Sequence, residues 1–123
     1  MEGIKLAEIE SKFVELVWQS EPINSGELVL LCEKELNWKK STTYTVLRRL
    51  CQKGVLKNED AIVTSLIKKE EYYAIQSEQF VEDTFQGSLP QFLAAFMSRK
   101  KLSPKQIAQI QKMIEDYQEP EEE

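Results

Sequence analysis

Apolar residues recur at helical intervals from the start of the chain. Leu6, Ile9, Phe13, Leu16 and Val17 form one stripe, which Val14 and Trp18 widen. Glu8, Glu10, Lys12 and Glu15 fill the opposite side. This spacing predicts an amphipathic helix from Leu6 to Ser20, closed by Pro22, because proline disfavours helix in the residue before it. Asn24 with Glu27 matches a capping box, so a second helix starts near Ser25 and buries Leu28, Leu31, Cys32 and Leu36. Asn37 and Trp38 fall in a short turn. A third helix follows from Lys40 to Lys53, with Thr43, Val46, Leu47 and Leu50 inward and Cys51 beside them. Gly54 suits the left-handed position that closes a helix.

The period then changes. Val55-Leu56-Lys57 and Ile62-Val63-Thr64-Ser65-Leu66 are rich in strand formers and flank the polar segment Asn58-Glu59-Asp60-Ala61. They read as a small hairpin. Three helices followed by a hairpin is the order of a winged helix-turn-helix, with the hairpin as wing. From Lys68 the pattern is helical again, in one long helix ending near Gly87. Ser88 with Pro90 and Gln91, and Ser103 with Pro104 and Gln106, each start another. Leu89, Phe92, Leu93, Phe96 and Met97 line the first of these; Ile107, Ile110, Ile114 and Tyr117 line the second. Three short helices cannot bury so many large apolar groups by themselves. Packing against the same segment of a second chain solves this, with Phe80, Phe85, Leu89, Phe92, Leu93, Phe96, Ile107, Ile110, Ile114 and Tyr117 as the dimerisation set.

The expected fold is mainly α. Residues 1–67 form a winged-helix domain, residues 68–118 a helical dimerisation domain, and residues 119–123 a disordered acidic tail. Composition changes this picture little. The chain has 123 residues, 41% of them hydrophobic and 30% charged, within the ordinary range for soluble domains. No apolar run has the length of a bilayer span and no signal-peptide layout is present, so a cytoplasmic location is expected. Cys32 and Cys51, with no histidine anywhere, make a poor metal site. Catalysis finds no support either: there is no histidine base, no glycine-rich phosphate loop, and no Ser or Cys paired with a base. Neither an enzyme nor a cofactor is expected.

Charge matters more by place than by sum. The net charge is -5, yet Leu36 to Lys57 carries Lys39, Lys40, Arg48, Arg49, Lys53 and Lys57 and no Asp or Glu. Binding to an anion follows this local field. Lys39, Lys40, Arg48 and Lys53 suit phosphate anchoring. Ser41, Thr42, Tyr44, Thr45 and Arg49 suit the reading of base edges in a major groove. The bland alternative is a solvated basic face.

The residues along this path resemble the BlaI/MecI/CopY family of bacterial winged-helix repressors. The likeness is carried by Leu6-Ala7-Glu8, Leu16-Val17-Trp18, Trp38, Thr42, Thr45, Arg49-Leu50 and Lys53-Gly54. It continues through Glu70-Glu71-Tyr72, Gly87-Ser88-Leu89, Ala95-Phe96 and Lys101-Leu102-Ser103. It implies a homodimer that binds a two-fold symmetric operator and represses transcription, with Thr42, Thr45 and Arg49 matching recognition-helix positions. Three departures stand out. The copper-responsive branch ends in a Cys-rich motif, whereas this chain ends in Glu. The penicillinase branch is inactivated by a protease at an Asn-Phe bond, where this chain has Ala95-Phe96. The wing is shorter than the family pattern and carries Glu59-Asp60 in place of basic residues. Two other readings compete: a winged-helix module that docks on protein, and a ligand-responsive regulator with its effector between the C-terminal helices.

Overall fold

The computed structural model describes residues 5–118. The tail expected over 119–123 lies outside them. The described residues fall into two compact units that meet at Gln79 and Phe80, within one helix.

In the first unit, α1 spans Glu8–Ser20, β1 Ile23–Asn24, α2 Ser25–Leu36 and α3 Lys40–Gln52. β2 (Leu56–Glu59) and β3 (Ile62–Ser65) form the wing, and α4 starts at Lys69 and runs to Phe85. The mainly helical winged fold is therefore present. Local chemistry sets each junction. Asn24 caps α2 by accepting from the Gly26 N–H at 2.8 Å. Asn37 takes a left-handed conformation (φ 57°) and ends α2. Gly54, at φ 80°, ends α3. Its N–H bonds to the Cys51 carbonyl and that of Val55 to the Leu50 carbonyl, which is the Schellman pattern. A β-carbon on Gly54 would meet nothing within 4 Å, so its freedom of φ is the whole requirement there.

The hairpin turn is tighter than expected. β2 pairs as far as Glu59 opposite Ile62, leaving only Asp60 and Ala61 in the loop. Both have positive φ (52° and 64°), as a two-residue turn matched to strand twist requires. β1 is a third strand that the pattern did not reveal. Ile23 pairs with Val63, giving the antiparallel order β1-β3-β2. A two-residue strand beside a proline carries no readable alternation.

One core holds this unit together. Phe13, Val14 and Val17 from α1 meet Leu28 and Cys32 from α2, Val46, Leu47 and Leu50 from α3, and Leu56 and Val63 from the sheet. Trp38 stacks on Phe13 with ring centroids 5.6 Å apart. Trp18 donates its indole N–H to the Ile67 carbonyl at 3.0 Å and packs against Tyr72, tying the start of α4 to α1. Two expectations for α1 fail. Ile9, placed in the apolar stripe, is 49% exposed. Glu10, placed on the solvent side, is 3% exposed. α1 begins two residues later than expected, at Glu8, and buries Glu10, Phe13, Val14 and Val17.

The second unit contains the end of α4, α5 (Leu89–Arg99) and α6 (Pro104–Glu115). Ser88 caps α5, and Ser103 with Gln106 forms a full capping box on α6. Phe80, Phe85 and Phe92 pack edge to face with centroids 5.7 to 6.0 Å apart. Neither α5 nor α6 contains a fully buried residue.

Candidate nucleic-acid interface

α3 presents two unlike faces. Thr43, Val46, Leu47 and Leu50 are sealed in the core. Lys39, Lys40, Ser41, Thr42, Thr45, Arg48, Arg49 and Lys53 are all exposed. Tyr44 is half-buried: its ring packs on the core and its hydroxyl lies 3.3 Å from the Ser25 hydroxyl. Thr45 donates its hydroxyl to the Ser41 carbonyl at 2.8 Å.

The start of α3 lacks the acid that the first turns of α1 and α2 carry. Its N-cap residue is Lys39, no side chain caps it, and its first turn carries no acid. The first N–H groups of a helix have no intrahelical partner and carry the positive end of the dipole. Lys39 and Lys40 add charge of the same sign, at some cost to the free helix. Together these groups make an anion-favouring corner that suits a phosphate. Among the described residues, no carboxylate lies within ion-pair distance of Lys39, Lys40 or Arg48.

The far end of α3 is tethered instead. Lys53 lies 3.0 and 3.2 Å from the two carboxylate oxygens of Glu10, and an Arg49 guanidinium nitrogen lies 3.5 Å from one of them. The same carboxylate accepts from the Ala7 N–H at 3.0 Å, which serves the start of α1. Burial drives the Glu10 pKa upward. The Ala7 hydrogen bond and the Lys53 and Arg49 cations outweigh it and hold the group below its ordinary 4.5. Sequence reasoning missed this residue. Ala7 has no side-chain oxygen, so the usual Ser/Thr signature of a capping box is absent, and the cations come from another helix.

The wing sits beside α3. Its acidic tip is partly neutralised, because Lys57 and Glu59 form a 2.7 Å ion pair, while Asp60 occupies the turn. A small cavity of about 290 Å³ between α3 and β2 is lined by Tyr44, Leu47, Arg48, Cys51 and Asn58. Burial pushes the thiol pKa values of Cys51 and Cys32 up, away from the thiolate. No metal-binding cluster and no helix long and apolar enough to cross a membrane occurs among the described residues.

The family model described as penicillinase repressor matches residues 6–116. The chain belongs to the penicillinase repressor family. Members of this family are transcriptional regulators, not enzymes. The chain is similar to the penicillinase repressor of Bacillus licheniformis, at 23% identity over 92% of this chain and 91% of that protein. It is also similar to an uncharacterised 16.5 kDa protein of Latilactobacillus sakei, at 28% identity over 85% of this chain and 75% of the other. Among solved structures, it is similar to the monomeric form of Bacillus licheniformis BlaI in complex with the blaP half-operator. That match has a TM-score of 0.50 and 26% identity, and covers 58% of this chain and 94% of the other.

In this family member the residues expected to dimerise divide by exposure. Phe80, Leu89, Phe96, Ile107, Ile114 and Tyr117 are exposed; Phe85, Phe92, Leu93 and Ile110 are half-buried. Leu93, Met97, Leu102, Ile107 and Ile110 also border an apolar groove of about 540 Å³ between α5 and α6. The Ala95-Phe96 bond lies in the middle of α5.

Proposed function

We propose that this protein is a sequence-specific transcriptional repressor that binds double-stranded DNA as a homodimer. Each subunit lays α3 in a major groove of a two-fold symmetric operator. Lys39, Lys40, Arg48 and Lys53 hold phosphates; Ser41, Thr42, Thr45 and Arg49 face the base edges, and the half-buried Tyr44 is the least accessible of the expected readers. The observation that carries this reading is the exposed polar face of α3, cationic and uncapped at its start. The BlaI structure complexed with a half-operator supports the same partner.

Residues 68–118 form the dimerisation domain in this reading, joined to a winged-helix domain over residues 1–67. Two half-sites then lie roughly 34 Å apart, or a multiple of that, along one face of the duplex. The apolar side chains left exposed on α5 and α6 support a second copy as their cover.

Titration of a fluorescent random-sequence duplex at low and raised salt tests the proposal. Binding that weakens steeply with salt is expected, because several cations displace counterions. A flat titration at low salt would leave a protein-docking winged helix as the better reading. Selection of bound sites from a random pool then gives the operator and its symmetry.

A further inference from the structure

Among the described residues, Glu10 is the one charged side chain in the buried set. A buried carboxylate persists only when it is paired. The cap on α1 does not call for that charge, since a glutamine at the same position accepts from the Ala7 N–H equally well. The charge is answered across the fold, by Arg49 and Lys53, one turn apart on α3.

Those two cations are only partly withdrawn. The Arg49 side chain is 50% exposed and that of Lys53 41%. Glu10 touches a single terminal nitrogen of the Arg49 guanidinium, at 3.5 Å. Helical spacing puts Arg49 on the same face as Thr42 and Thr45. An arginine free to rotate loses much of that freedom on binding, while one already held loses less. A cation facing a carboxylate also contributes less to attraction that ignores sequence.

We propose that Glu10 is a positioning residue of the DNA interface: its buried carboxylate aims Arg49 across the exposed face of α3 and damps the sequence-independent pull of Arg49 and Lys53. The inference rests on the DNA-binding reading above. Its effect is on discrimination more than on affinity.

The test compares the full chain with its Glu10→Gln variant on two duplexes of equal length. One is enriched by the protein from a random pool and the other is a scramble of it. Glu10→Gln is expected to bind the scramble more tightly, with a salt slope steeper by about 1. The ratio of affinities for the enriched and scrambled duplexes falls about five- to tenfold, the equivalent of one flexible side chain left to be ordered on binding. In an Arg49→Ala background the same change leaves the ratio alone. A folded Glu10→Gln protein whose ratio stays within about twofold of the parent's overturns the proposal, as does a full drop that persists without Arg49. If Glu10→Gln does not fold, NMR of the unaltered protein decides: slowed rotation of the Arg49 guanidinium in the free state is expected, and free rotation overturns the inference. An unaltered protein that binds neither duplex sinks the DNA reading itself and this proposal with it. One that discriminates while Glu10→Gln discriminates equally sinks only the role of Glu10.

Discussion

Replacing Ile114 by alanine should loosen the proposed dimer without touching α3. Ile114 sits on the last turns of α6 and is 67% exposed in the single subunit. The change removes three carbons, each contributing about 0.8 kcal/mol when fully buried. Two-thirds of that gain is still available to the monomer, so burial at a partner contributes roughly 1.6 kcal/mol per subunit. A symmetric interface uses the residue twice, which makes about 3 kcal/mol, or on the order of 200-fold in the dimer dissociation constant. Sedimentation equilibrium over a concentration series measures this directly. The helix should survive, because Ile114 has few intramolecular contacts to lose and alanine favours helix. Half-site binding by one subunit should be unchanged, while affinity for the full operator falls with dimer population. An unchanged dissociation constant would place the interface elsewhere. A parent protein that is monomeric at high concentration would refute the reasoning outright.

The other expectations concern the reading unit. Arg49→Ala should cost on the order of 1–3 kcal/mol on the preferred site and relax selectivity, whereas Lys40→Ala should weaken all duplexes alike and lower the salt slope by about 1; anisotropy titrations separate the two. Leu50, fully buried between α3 and its neighbours, should cost about 2–5 kcal/mol when cut to alanine, read from denaturant midpoints. Acid should destabilise the fold through Glu10, Glu15 and Glu21, whose pKa values all lie below the ordinary 4.5. For Glu21, burial pushes the value up, but the Ser65 N–H and hydroxyl and the Lys68 cation hold it down. A carboxylate depressed in the folded state contributes stability above pH 4.5 and loses it as pH falls through its lower folded value. Melting temperatures of Glu21→Gln should therefore fall less steeply below pH 4.5 than those of the parent; parallel curves would contradict this.

Helix positions were legible because each helix carries its own punctuation. Asn24, Ser88 and Ser103 mark starts, Gly54 marks an end, and the apolar spacing between them has one period. The exposed cations of α3 were legible for the same reason: its inner positions are uniformly apolar or small, so the rest must face out. β1 was not legible, because a two-residue strand exists only through its pairing with β3. Glu10 was not legible either. Its burial depends on Lys53, 43 residues away, and on the rotation of α1 against α3. Local pattern sorts residues by polarity, and a carboxylate that goes inside to meet a cation breaks that rule.

The chain's acidic balance looks hostile to a polyanion until its carboxylates are located. Within the reading unit, Glu10 faces Arg49 and Lys53, Glu15 faces Lys69 and the Tyr73 hydroxyl, Glu21 faces Lys68 and Ser65, and Glu59 faces Lys57. These acids lie on α1, at its C-cap or on the wing; Glu27, Glu33 and Glu35 lie exposed on α2, and none lies on α3. The paired acids act as fasteners between elements, and their field is largely cancelled by the cation each one holds. On α3 and its N-cap, Lys39, Lys40 and Arg48 have no acid partner among the described residues, and Lys39 and Lys40 lie at the end where the helix dipole is also positive. α3 therefore has a polarity of its own: a free cationic start suited to phosphate, and a tethered end where Arg49 is steadied from behind. Loss of Lys39 or Lys40 should therefore weaken every duplex alike, whereas loss of Arg49 should show mainly in discrimination between duplexes.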